Sequence, residues 1–148
     1  MTTTTMHHEP TSSSTTPTQP AERVTRALDQ DHAELASLTA RIESARDDRA
    51  ALTEVLEDLT RSVRDHFAEE ENASGFYGML SVKGPELQAR IAGLVEEHRS
   101  LRQDLEHLLT LAQERPAPTH AIGRAAADLA ARLHDHEARE SKLVTALA

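Results

Sequence analysis

Cysteine and tryptophan are both absent from this chain of 148 residues. Without thiolates there are no disulfides, no iron–sulfur clusters and no cysteine-ligated zinc, so any bound metal must be held by nitrogen and oxygen. That points to iron, manganese, copper or zinc on imidazole and carboxylate. Aromatic residues are only 2% of the chain, too few for a sheet sandwich built on aromatic and β-branched side chains. Basic charge is also short, with 16 Lys and Arg against 25 Asp and Glu and a net charge of -9. The acids are spread along the whole chain, leaving no basic patch to neutralise phosphates or settle on anionic lipid. Nucleic acid and a membrane surface are therefore disfavoured as partners. No apolar run approaches the roughly 20 residues of a membrane span. The first residues also lack the basic-then-apolar order of a signal peptide, so a cytoplasmic location is the expectation.

What the chain does contain is Ala, Leu, Arg and Glu, a composition that favours helix and places the protein in the all-α class. Residues 1–20 are Thr, Ser and Pro with almost no apolar side chain, which predicts a disordered tail. His7 and His8 fall in that tail and read as solvated, and no protein partner for it can be named. Residues 21–148 make one domain of four helical segments. The first runs from Ala21 to Ala45, with Val24, Leu28, Leu35, Leu38 and Ile42 inward. The second starts at Ala50 and is expected to continue in distorted form past Gly75 and Gly78 until Lys83, Gly84 and Pro85 stop it. A third runs from Pro85 to before Pro116, and the fourth from Thr119 to Leu147. Short turns between long amphipathic segments imply an up-down-up-down four-helix bundle.

The inward seams carry polar residues where a bundle should have apolar core. In the second segment the seam reads Leu52, Leu56, Leu59, Val63, His66, Glu70. In the third it reads Leu87, Ile91, Leu94, His98, Leu101, Leu105, Leu108. In the fourth it reads Ile122, Ala126, Leu129, Leu133, His136, Glu140, Leu143, Leu147. Positions alternate by four and three, the spacing of a seam that faces one core. A histidine or carboxylate there must be paired, neutral or metal-bound, because burying it uncompensated costs several kcal/mol.

Antiparallel helices put two residues at one height when they are equally far from the turn between them, since each helix rises about 1.5 Å per residue. His98 and His136 each lie 19 residues from Ala117, and His32 and His66 each lie 17 from Arg49. Around the middle turn, His66, Glu70 and His98 bracket one level. Four helices thus present histidine to a common layer. His66 with Glu70, and His136 with Glu140, are i, i+4 pairs on one helix face, so each imidazole and carboxylate can share a cation or bridge two. With His32 and His98 the set is four nitrogens and two carboxylates, suited to a pair of iron or manganese ions.

Among the other candidates, His134 sits beside Leu133 and reads as exposed, with His136 the favoured ligand of the two. His107 and His120 read as solvated. Glu69, Glu71, Glu97 and Glu137 read as surface charges, one of which can orient an imidazole through its second nitrogen. Tyr77 reads as core with its hydroxyl reaching water, or as lining the pocket. His32 lies one position off the strict row Leu28, Asp31, Leu35, and a boundary histidine capped by a carboxylate is its alternative reading.

The pattern resembles the hemerythrin family of HHE cation-binding domains. It is carried by Asp31-His32-Ala33-Glu34-Leu35, His66-Phe67-Ala68-Glu69-Glu70-Glu71, Glu96-Glu97-His98 and His134-Asp135-His136-Glu137-Ala138-Arg139-Glu140, across residues 21–148. The resemblance implies a non-haem di-iron protein, with Glu70 and Glu140 bridging two irons, His32, His66, His98 and His136 as terminal ligands, and manganese or zinc as substitutes. Oxygen-carrying members place a further histidine one turn after the third-segment ligand, and here that position is Arg102. Arginine stays protonated and cannot ligate. The departure leaves a coordination position open and weakens the case for a dedicated oxygen carrier. Arg102 itself reads either as reaching solvent or as a donor to a bound oxyanion.

Three functions follow as expectations. The first is binding of oxygen, nitric oxide or a related small ligand for sensing, storage or delivery. The second is an enzyme that decomposes peroxide or protects against oxidative or nitrosative stress. The third is iron storage or donation.

Overall fold

A computed structural model describes residues 19–114 and 117–147. Of the expected tail over residues 1–20, residues 1–18 with His7 and His8 lie outside them, while Gln19 and Pro20 open α1. Helix α1 spans Gln19–Ala45, α2 Arg49–Glu71, α3 Phe76–Ser81, α4 Pro85–Gln113 and α5 Thr119–Leu143, followed by a 3₁₀ turn at Val144–Leu147. There is no strand among the described residues. No helix among them is long and apolar enough to cross a membrane.

Local chemistry accounts for the boundaries. Asp48 caps α2, its carboxylate accepting from the Ala51 N–H at 3.1 Å in place of the helix's missing carbonyls. Pro85 occupies the first turn of α4, where its lack of an N–H costs nothing. Gly84 before it has φ 146, a conformation that L side chains resist. At the opposite end of α4 the Arg49 guanidinium donates to the carbonyls of Leu111 and Ala112 at 3.1 and 2.9 Å, and to those of Glu114 and Ala117. A cation thus satisfies the orphan acceptors of that helix end.

Cross-helix contacts establish the directions. Arg41 pairs with Asp58, and Glu34 with His66, so α1 and α2 run antiparallel. Arg49 at one end of α2 meets the end of α4, while Glu70 at the other meets His98. Arg132 with Asp104 and Arg139 with Glu97 tie α5 to α4. Thr39 with His134 and His32 with Glu140 close α5 against α1.

The expected continuation of α2 is instead a break and a separate short helix. Asn72 leaves helical geometry with ψ 146, and its side-chain oxygen accepts from both the N–H and the hydroxyl of Ser74, an Asx turn that competes with helix. The chain then folds back so tightly that a Cβ at Gly75 would overlap the Glu69 carbonyl, and one at Gly78 the Ala73 backbone. Helix α3 therefore lies across the bundle end and turns Phe76, Tyr77 and Leu80 inward.

Two apolar clusters result. One fills the end of the bundle near the α1–α2 and α4–α5 turns, from Leu35, Ile42, Leu52 and Leu56 to Leu105 and Leu129. The other gathers Leu28, Phe76, Tyr77, Leu80, Ile91, Leu94, Leu143 and Leu147. In α1, α4 and α5 the residues of the polar layer fall between those of the two clusters, and in α2 Glu70 follows Phe67, the last residue of the first cluster.

Candidate metal centre

Three helices supply the most buried donors of the layer. Glu70 comes from α2, His98 from α4, and His136 with Glu140 from successive turns of α5. Their exposures are 3%, 0%, 0% and 1%. One ligating atom from each lies within 4.8 Å of the others. His98 Nε2 is 3.1 Å from Glu70 Oε2, and His136 Nε2 is 3.4 Å from Glu140 Oε1. The two imidazole centroids are 4.7 Å apart, in keeping with the equal heights counted from Ala117. Phe67 stacks on His98 with centroids 3.6 Å apart and planes 5° from parallel, closing one side of the group.

Of the six residues singled out in the sequence, these four are brought together. His32 stands beside them with Nε2 3.2 Å from Glu140 Oε1. His66 belongs to another grouping, with Nδ1 2.8 Å from Asp31 Oδ1 and Nε2 2.7 Å from Glu34 Oε2. Asp31, His66 and Glu69 form a second set whose donor atoms lie within 4.8 Å of one another. The signal for Asp31 was present in the row Leu28, Asp31, Leu35, which is the row that α1 buries.

Other readings change. The Tyr77 hydroxyl does not reach water; it is buried, donates to Glu140 Oε2 at 2.8 Å and lies 2.9 Å from His98 Nε2. Only the break after α2 brings it there. Glu137 is buried rather than a surface charge. Glu71 and Glu97 stand 3.7 Å from the Nδ1 atoms of His98 and His136 respectively, close behind each ring but beyond hydrogen-bond length. His134 is exposed and touches Thr39. His107 and His120 are exposed, and Arg102 is half-buried.

The electrostatics of this layer call for a cation. Asp31, Glu70, Glu137 and Glu140 are all buried, yet no lysine or arginine is buried among the described residues. Burial and the neighbouring Glu140 charge push the Glu70 carboxyl up to about 11. Burial alone would raise Glu140 too, but the neighbouring His136 and His32 imidazoles outweigh it and hold that carboxyl below its ordinary range. His98 is driven down to about 3 by burial and by His136. Burial raises Asp31 to about 6 against the opposing pull of His66, and raises Glu137 to about 7.

Both Glu70 oxygens, both His136 nitrogens, and Nδ1 of His98 and of His66 are buried without an aligned hydrogen bond. Native proteins rarely leave such atoms orphaned unless a water or ion completes them. The donor set of imidazole and carboxylate fits a metal of the iron, manganese or zinc kind. A cleft of about 660 Å³ between α1 and the α2–α3 break leads from solvent to Asp31 and Glu70. Its walls include Leu28, Phe76 and Met79.

The family model for the hemerythrin HHE cation binding domain matches residues 23–148. No curated protein and no solved structure matches the chain.

Proposed function

We propose a function from the premise that this chain belongs to the hemerythrin HHE cation-binding domain family. The reading is a non-haem di-iron protein that binds oxygen, nitric oxide or a related small ligand for sensing, storage or delivery. His32, His66, Glu70, His98, His136 and Glu140 hold the metals, with manganese or zinc as substitutes for iron. One observation carries it: four buried carboxylates share a layer with two fully buried histidines and, among the described residues, no buried lysine or arginine, while six nitrogen and oxygen atoms of the proposed ligands lack partners.

When bound, the metals supply Lewis acidity and electron exchange toward a small ligand. The protein's own contribution is placement. Glu140 orients the His32 and His136 rings, Tyr77 fixes Glu140 and His98 through one hydroxyl, and Phe67 shields His98 from water. The cleft gives a ligand its route to Glu70.

A second reading, decomposition of peroxide, draws on that cleft, because a path with carboxylates on its floor also admits a polar oxidant. Iron-loaded protein separates the two. A reversible optical change with oxygen or nitric oxide, without turnover, supports binding. Steady oxygen evolution on adding peroxide, lost in His66→Ala, replaces it with the enzyme. Purified protein holding well under one iron, manganese or zinc per chain after growth in metal-replete medium overturns both.

A further inference from the structure

Asp31 lies outside the six-residue set, yet it is 7% exposed on the buried row of α1, between Leu28 and Leu35. Its Oδ1 is 2.8 Å from His66 Nδ1, and that buried nitrogen has no aligned hydrogen bond. An imidazole nitrogen and a carboxylate oxygen this close without an aligned N–H···O bond leave that buried nitrogen in need of another partner, which a cation shared with the carboxylate would supply. Glu69, one helical turn from His66, completes three donors within 4.8 Å of one another.

A second observation is independent of this cluster. Glu70 is 3% exposed with both oxygens unpartnered, and it shares the floor of the cleft with Asp31. The cleft lining therefore combines a buried, unsatisfied carboxylate with Asp31 and the exposed Glu69, and His66 stands behind Asp31.

The two donor groups differ in kind. Around His98 and His136 every donor residue is at most 3% exposed and aromatic rings cover the imidazoles. Around Asp31 two of three donors are carboxylates and the cleft is open to solvent. Carboxylate-rich sites suit hard ions, whereas imidazole favours iron, zinc and copper. An ion on the cleft floor also has a path to water that an enclosed one lacks.

Resting on the reading of this layer as a two-metal centre, we infer that Asp31 is itself a metal ligand. With His66 and Glu69 it holds the outer of two unequal cation positions, exchangeable through the cleft, while His98 and His136 serve an inner, retained one. Glu70 lies between them.

The test uses the full chain loaded anaerobically with ferrous iron. Metal per chain is counted before and after brief exposure to a chelator, for wild type, Asp31→Asn and Asp31→Ala. Wild type should give up about one of two equivalents quickly and keep the other. Both Asp31 variants should load about one equivalent, the slow one, with wild-type helicity by circular dichroism. His98→Leu should show the converse, keeping only the fast equivalent. Should Asp31→Ala fail to fold, the isosteric Asp31→Asn decides. An Asp31→Asn protein that loads and releases both equivalents as wild type does overturns the role of Asp31. Release of both wild-type equivalents in one phase overturns the inequality. A wild type that loads no iron overturns the two-metal reading instead.

Discussion

The two halves of this bundle use one helical pattern for opposite ends. Toward the α1–α2 and α4–α5 turns, the long helices meet through Leu35, Ile42, Leu52, Leu56, Leu105 and Leu129. One or two turns further along, the same faces meet through Asp31, Glu70, His98, His136 and Glu140. Burial is just as complete in the second region, but there each group leaves water at a cost that the fold alone does not offset. The apolar half supplies stability, and the polar half draws on it to hold charged and hydrogen-bonding groups where water would otherwise take them.

The largest expected effect tests the apolar half. Leu56→Ala removes a side chain that is fully buried and should destabilise the bundle by about 2 to 5 kcal/mol. Thermal melts of metal-free protein read that loss, and metal per folded chain should stay at the wild-type value. Truncation in the layer should behave in the reverse way. His98→Leu puts the residue its seam prefers in place of an unsatisfied imidazole, so the metal-free melt should hold or rise while loading of at least one metal is lost. Normal loading in His98→Leu would remove His98 from the ligand set. A melt that fell as far as that of Leu56→Ala would erase the distinction between the halves.

The next effect is on pH dependence, and its sign differs with and without metal. In metal-free protein Glu70 is raised to about 11 from 4.5, so the fold retains a proton that the unfolded chain releases, and stability falls as pH rises from 4.5 toward 11. Asp31 and Glu137, raised to about 6 and 7, act in the same direction over narrower windows. His98, lowered to about 3 from 6.5, acts oppositely, since the unfolded chain gains a proton the fold refuses; stability falls as pH drops from 6.5 toward 3. The metal-free protein should therefore be most stable at about pH 4.5, because above it the falling slopes of Glu70, Asp31 and Glu137 together exceed the rising slope of His98. Glu70→Gln should flatten the decline above that pH. Metal competes with protons for the same atoms, so loaded protein should gain stability over metal-free protein as pH rises. Melting both forms at pH 5.5 and pH 8 checks this: the gap must widen at the higher pH.

How much of this contrast was legible beforehand depended on what each residue needed from its surroundings. The seams of the second, third and fourth segments were read from spacing, because a buried helix face is a local property of period 3.6. The level shared by His98 and His136 was also readable, since it requires only turn positions and a fixed rise. The row Leu28, Asp31, Leu35 marks Asp31 as inward, yet the ligand reading falls on His32 one position away. Both residues lie at the layer, one on His66 and the other on Glu140. Tyr77 was less accessible. Its inward position follows from the break at Asn72 and the close approach of Gly75 and Gly78 to backbone several residues away, contacts that exist only once the chain has folded back. Glu137 reads as a surface charge in the sequence, and its burial shows only in the folded bundle.

Tyr77→Phe comes next in size. Its hydroxyl bridges Glu140 and His98, so removal leaves Glu140 Oε2 without its donor and His98 Nε2 without that partner, and should lower metal-free stability by about 1 to 3 kcal/mol. Bound metal offers those atoms another partner, so the loss in loaded protein should be smaller. Equal losses in both forms, measured by chemical denaturation, would make Tyr77 part of the apolar half in energetic terms.

The smallest stability effect lies on the surface joining α4 to α5, where two exposed ion pairs differ in one respect. Arg132 with Asp104 touches nothing in the layer, whereas Arg139 holds Glu97, whose Oε2 is 3.7 Å from His136 Nδ1. Asp104→Ala and Glu97→Ala should each change stability by less than about 1 kcal/mol, as exposed pairs do. Only Glu97→Ala should weaken metal binding, by up to about tenfold, because a carboxylate behind a ligating imidazole orients the ring and raises its basicity. Matched titrations of the two variants isolate that contribution, since the lost surface charge is the same in both. If both bind metal as wild type does, the boundary between the two regions lies at the imidazole ring, and Glu97 belongs to the solvated face of α4.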